Sequence, residues 1–247
     1  MSDREALRRV ALVAVLLVVV ISVPSSLAFV AAYRFDLDAV LSDPGSIIDG
    51  GPAAAALFHW GAIGDMLYSY LLLVPLALYL HALLRPRKPW LTDLGVVGAF
   101  AYIFVGAAGA AILAAAGPPL IEANAAAGPA DRVALSTSFH LLTNAVFFGL
   151  WQTVDPISLG TWLFSIGWLI RAERRAVGRL LVVLGVGLMV ASVRTMLGLH
   201  SLGVLVAGTT VVLLVWVAWL LLDHVGRGNR STPTSRSSSG GTGSPNA

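Results

Sequence analysis

Eight polar side chains stand within or beside apolar runs: His59, Asp65, Tyr68, His140, Asn144, Asp155, Arg194 and His200. Asp65 is the most telling, because an aspartate near the centre of a membrane helix costs ~2.5–3.5 kcal/mol on insertion scales. Tyr68 and Ser69 follow it at i+3 and i+4 and so share its helix face. That pattern suits an ion, proton or substrate site, and equally a structural hydrogen bond facing a helix bundle. Arg194 is the only basic residue embedded in an apolar segment, at the depth of Asp65, which makes the two candidate partners.

Ser136, His140 and Asn144 recur every four residues and give the segment Val133 to Gln152 a polar stripe. This stripe faces either a pocket or the outer water and headgroup layer. Asp155-Pro156 is expected to break the helix that follows, freeing backbone carbonyls that can coordinate a ligand. His200 and Ser201 are expected at the outer mouth. No histidine pair has the His-x-x-x-His or His-x-x-Glu spacing that fixes two ligands on one helical face, so no metal site is expected. A Walker loop, a Gly-x-Ser-x-Gly elbow, an Asp-rich diphosphate motif and a helical lysine for a Schiff base are all missing. No cofactor is therefore named by the sequence.

The elements that must position these groups are membrane helices. With 57% hydrophobic and 12% charged residues among 247, the chain has too few charges to solvate an ordinary globular surface. Val10 to Ala32 carries no charge. The expected fold class is all-α, a polytopic bundle with about six spanning helices plus an outer-face or kinked helix near 133–152. The spans are Val10 to about Tyr33, Phe58 to Leu84 with a bend at Pro75, and Gly95 to Ala116 stopped by Gly117-Pro-Pro119. Val133 to Ile170 supplies the fourth, followed by Leu180 to Leu199 and Leu202 to Leu222. Residues 1–225 form this membrane domain, and the Ser/Gly/Thr-rich 226–247 is expected to be a disordered cytoplasmic tail. Arg34 to Ala56 reads as an acidic loop. The small-residue stretch Ser25-Ser-Leu-Ala28 after a basic start resembles a signal-peptide cleavage site, but the apolar run is overlong and reads as a retained anchor.

Charge sets the orientation. Six crossings gather Arg4, Arg8 and Arg9, then Arg85, Arg87 and Lys88, then Arg171, Arg174, Arg175 and Arg179, then Arg227, Arg230 and Arg236 on one side. Both termini are then cytoplasmic in a multi-pass protein of the cell membrane. The net charge of +3 lies in these clusters rather than on one basic face, so nucleic acid is not an expected partner and the lipid bilayer is. The tail arginines add a modest attraction to anionic lipid. Cysteine is absent from the sequence, which excludes disulfides and thiolate chemistry.

Trp60-Gly-Ala-Ile-Gly-Asp-Met-Leu-Tyr68, closed by Leu83-Leu-Arg-Pro86, is one distinctive stretch. Phe148-Gly-Leu-Trp151, through Gly167-Trp-Leu-Ile-Arg171 to Gly178-Arg-Leu-Leu181, is the other. Together they resemble an uncharacterised bacterial family of multi-pass membrane proteins, classed as a domain of unknown function in the four-thousand-three-hundreds. Asp155-Pro156 departs from that family's pattern. The resemblance implies the helix count and draws attention to Asp65, and it brings no activity with it.

Polar groups from four segments converge on the outer half of the bundle, the usual signature of a pocket. The expected function is binding of a small or lipidic ligand there, as a carrier or sensor. The alternatives are a membrane-embedded enzyme acting on a lipid or isoprenoid, with Asp65 as acid or base, and a structural subunit of a membrane complex.

Overall fold

A computed structural model describes residues 3–199; His200, the expected sixth span and the tail lie outside the described residues. In chain order the elements are α1 (Asp3–Ala32), α2 (Leu37–Ser42), a 3-10 segment Pro44–Gly50, and α3 (Gly51–Asp65). A π-helical segment Met66–Tyr70 and a 3-10 turn Leu71–Leu73 lead into α4 (Val74–Leu84). Then come α5 (Pro89–Ala126), α6 (Pro129–Asn144), a second π-helical segment Ala145–Val154, α7 (Asp155–Ile170) and α8 (Arg175–Met196).

The fold is all-α, with no strand among the described residues. Among the described residues, five continuous stretches are long and apolar enough to cross a membrane: Glu5–Ala32, Pro44–Leu84, Pro89–Ala126, Pro129–Ile170 and Arg175–Met196. A helix satisfies all its backbone groups internally, which is why Val-rich sequence such as α1, a poor helix former in water, is helical in lipid. Val10, Val13, Leu16 and Val20 of α1 face outward, as lipid contact requires.

Local expectations change in three places. Gly117-Pro-Pro119 does not stop the third span; α5 runs on to Ala126, because Ile121 and Asn124 are buried beneath the Pro44–Gly50 segment. The acidic stretch after Tyr33 is no open loop: Asp36 accepts from the Ala39 amide at 3.0 Å and caps α2, and the 3-10 segment follows. The helix is also unbroken at Asp155-Pro156, where proline occupies the first turn of α7 and the preceding ten residues widen into π geometry instead. At Pro75, where a bend is expected, proline instead occupies the first turn of α4, and the departure from α geometry comes earlier, from Met66 to Leu73.

α1 packs on α3 and α4, α3 on α5, α5 on α7, and α7 on α8. The last pair approaches so closely that a Cβ on Gly160 would lie 2.6 Å from the Gly185 carbonyl, and one on Gly167 2.7 Å from that of Gly178. The buried side chains form two stacked apolar clusters. One, toward the arginine-rich loops, includes Val18, Leu76, Leu91, Ile103, Leu163 and Leu181. The other, toward the opposite end, includes Tyr33, Ile48, Phe58, Leu113, Phe139 and Phe147.

Candidate functional site

A polar layer lies where the two apolar clusters meet. Asp65 closes α3 and opens the first π segment; Asp155 follows the second π segment and opens α7. Each carboxyl, Asp155 buried and Asp65 half-buried, therefore flanks a place where the helix is widened, a feature frequent at functional sites. Ser69 Oγ donates to Asp65 Oδ1 at 2.7 Å, and Tyr70 OH donates to Asp155 Oδ2 at 2.9 Å. Tyr68 OH is 3.2 Å from Ser26 Oγ of α1 and within electrostatic reach of Asp65. The Tyr70 ring packs 5.1 Å from Tyr102 of α5, in a space that exists because residue 106 is glycine: a Cβ there would fall 1.7 Å from the ring.

Two acceptors in this layer have no donor. Asp155 is 2% exposed and its Oδ1 is unpartnered, as is the buried Oε1 of Gln152, one turn earlier. The groups acting on the carboxyls are hydroxyls; no cation among the described residues stands beside either. At ~1.5 Å per residue, the layer stands roughly 20–30 Å from the arginines that begin and end the helices, which in a hydrocarbon slab of ~30 Å places it in the half away from them.

The structure thus brings together Asp65, Tyr68 and Asp155. Arg194 is not part of this group. It lies exposed on α8, which packs on α7 and the second π segment, so the expected Asp65–Arg194 pair does not form. His140 sits elsewhere, over Gly45 and 3.5 Å from Asp43, pinning α6 to the 3-10 segment. Asn144, one turn on, is exposed. His59 has a separate task. Pro118 has no N–H to offer the Ala114 carbonyl four residues back, and His59 Nδ1 lies 2.9 Å from that oxygen, where its N–H tautomer donates.

Tyr70 and Ser26 were not among the residues expected from the sequence. In an α-helix, position i+5 from Asp65 points away from it; the π geometry of Met66–Tyr70 changes that phase, and α periodicity carries no trace of it. Other polar contacts secure the same level: Trp151 Nε1 donates to the Gly106 carbonyl at 3.3 Å, and Ser192 of α8 donates to the Thr153 carbonyl.

Clefts open at the basic end. One is a narrow space lined by Ala77, His81, Thr92, Gly95, Trp162 and Ser165 among others. There His81 Nε2 and Arg85 Nε meet Asp93 Oδ1 at 2.8 and 3.5 Å, and Arg87 pairs with Glu173 at 2.9 Å. Among the described residues no three His, Cys, Asp or Glu side chains group as a metal site. No family model, curated protein or solved structure matches this chain.

Proposed function

We propose that this multi-pass membrane protein binds a small or lipidic ligand within the bilayer, at the polar layer of Asp65, Tyr68, Tyr70 and Asp155, and serves as a carrier or sensor. One observation carries the reading: two acidic side chains on separate spans, Asp155 buried and Asp65 half-buried, each flank a π-widened segment with no cation among the described residues beside them. Buried acidic groups are costly in lipid and are retained chiefly at ion, proton or substrate sites. A structural subunit would neutralise such groups within its own core, yet Asp155 Oδ1 and Gln152 Oε1 stay unpartnered. The two widened helical segments give the layer a means to rearrange, since π turns interconvert with α geometry by a local shift of hydrogen bonds.

Positive charge fixes the orientation in this reading. The N-terminus and the loops carrying Arg85, Arg87, Lys88 and Arg171 to Arg179 face the cytoplasm of a bacterial cell, and the tail joins them. The apolar cluster of Tyr33, Phe58 and Phe139 then faces outward. Kinship with the uncharacterised bacterial family rests on the Trp60–Tyr68 and Phe148–Leu181 stretches.

Native mass spectrometry of the gently purified protein, beside Asp155→Asn and Asp65→Asn, tests the proposal. A co-purifying species lost from folded variants supports it. No species in any sample, with both variants folded but less stable than wild type, would sink it in favour of a structural core.

A further inference from the structure

We infer that the ligand of the polar layer is a monovalent cation, either an alkali ion or a compact ammonium group. The inference rests on the binding function proposed above and adds the charge of the ligand.

The polar side chains around the two carboxyls end in oxygen, apart from the amide nitrogen of Gln152 and the indole nitrogen of Trp151, which is committed to the Gly106 carbonyl: they are Asp65 and Asp155 themselves and the hydroxyls of Ser26, Tyr68, Ser69 and Tyr70. The hydroxyls of Ser69 and Tyr70 are committed as donors to the carboxyls, so the capacity left over is for accepting. Asp155 itself supplies the independent sign of a missing partner. It is 2% exposed, one oxygen is taken by Tyr70, and the other has no donor; Gln152 Oε1 is unpartnered one turn away. An anionic ligand would meet two carboxyls and no basic group. A neutral one would satisfy the hydrogen-bonding shortfall and offer nothing to an ionised carboxylate. A cation answers both.

Valence follows from the number of acceptors. Hard divalent ions demand six or more oxygens, often with several waters. Here the hydroxyl protons are turned inward to the carboxylates and few acceptors remain, which suits an ion tolerant of low coordination or an ammonium with up to three N–H donors. The packed surroundings, with Tyr70 5% exposed and its ring fitted against Gly106, restrict the ammonium to a small one.

The test is thermal unfolding of the full-length protein in nanodiscs of zwitterionic lipid at constant ionic strength. Lithium, sodium, potassium and methylammonium chlorides are compared with tetraethylammonium chloride, which is bulky and has no N–H donor. The expected result is a saturable rise in Tm, about 2–4 °C or more, with at least one small cation and none with tetraethylammonium. The cation that acts distinguishes an alkali ion from an ammonium. Asp155→Asn and Gln152→Leu should abolish the rise; Glu5→Gln, at the basic end, should keep it. If Asp155→Asn fails to fold, Gln152→Leu decides alone. An equal Tm in all salts, or a rise surviving in Gln152→Leu, overturns the inference. If the Tm is indifferent to salt while native mass spectrometry finds a neutral or anionic species lost from Asp155→Asn, the binding function stands and the cation falls. Indifference with no bound species removes both.

Discussion

Tyr70 on the second span donates its hydroxyl to Asp155 on the fourth, 85 positions on in the chain, at 2.9 Å, and each stands at the end of a π-widened segment. Tyr70→Phe keeps the ring against Tyr102 and removes only the donor, leaving Asp155 Oδ2 unpaired. The expected cost is about 1–3 kcal/mol, because an unsatisfied buried acceptor is more expensive than the bond is favourable. Adding Asp155→Leu should cost less than the sum of the two single changes. Equilibrium unfolding in mixed micelles measures both; strict additivity would mean that the pair does not couple.

The His59 bond to Ala114 makes a sharper prediction, since its cause is a proline. His59→Leu orphans a carbonyl in α5 and should lower stability by about 1–3 kcal/mol. Pro118→Ala returns an N–H to that carbonyl and should rescue His59→Leu, making the double variant more stable than the single one. Thermal unfolding of the three variants suffices. No rescue would show that His59 acts through another contact, such as its edge-on packing with Trp60 at 5.3 Å.

How much of this was legible in the sequence differs from residue to residue. Twenty-residue apolar runs announce membrane helices because lipid leaves the backbone few alternatives, and α1, α5 and α8 follow from that alone. The cost of burial likewise marks Asp65. Its partners were hidden for two physical reasons. Face assignment at 3.6 residues per turn relates Tyr68 and Ser69 to Asp65 and leaves Tyr70 out, whereas Met66–Tyr70 and Ala145–Val154 are π-helical. Depth was also treated as proximity: Arg194 shares a level with Asp65 but lies on a helix that packs against α7. Pro118-Pro119 misled similarly, because proline ends a helix only when nothing else satisfies the carbonyls it frees, and His59 takes that of Ala114.

Gly106 is where space rather than hydrogen bonding positions the site. Gly106→Ala puts a methyl 1.7 Å from the Tyr70 ring, so Tyr70 must leave Asp155 or α5 must move away. A loss of about 1–3 kcal/mol is expected, with the bound species lost as well. Gly149→Ala is the control: no atom lies within 4 Å of the added methyl, so it should be neutral or stabilise by up to about 1 kcal/mol. Equal effects of the two changes would remove the packing argument.

Tyr33 gives a pH dependence. Its hydroxyl donates to the Pro44 carbonyl at 2.8 Å, and burial, then the Asp43 charge, raise its pKa above the ordinary 10.0. A raised phenol pKa stabilises the fold fully below about pH 10; stability falls above that, where the unfolded chain releases the proton and the folded one retains it. Tyr33→Phe should lower stability at pH 8 by about 1 kcal/mol through the lost hydrogen bond, yet lose less than wild type between pH 10 and higher values. Denaturation midpoints across that range check the sign, and parallel curves would dismiss Tyr33 as a source of alkaline sensitivity.

Topology can be read directly because the natural chain has no cysteine, so single introduced thiols report without background. Ser42, in α2, and Ala172, in the turn between α7 and α8, are both exposed and lie at opposite ends of the bundle. Positive charge clusters around Ala172 in Arg171, Arg174, Arg175 and Arg179, and the stretch of chain holding Ser42 is acidic. The positive-inside bias therefore predicts that a membrane-impermeant maleimide labels Ser42→Cys in intact cells and reaches Ala172→Cys only after lysis. The reverse pattern would invert the bundle, turning the cluster of Phe58 and Phe139 toward the cytoplasm and giving the polar layer its shorter route to that side. Labelling of both positions in intact cells would mean mixed insertion, in which the arginine clusters no longer determine orientation.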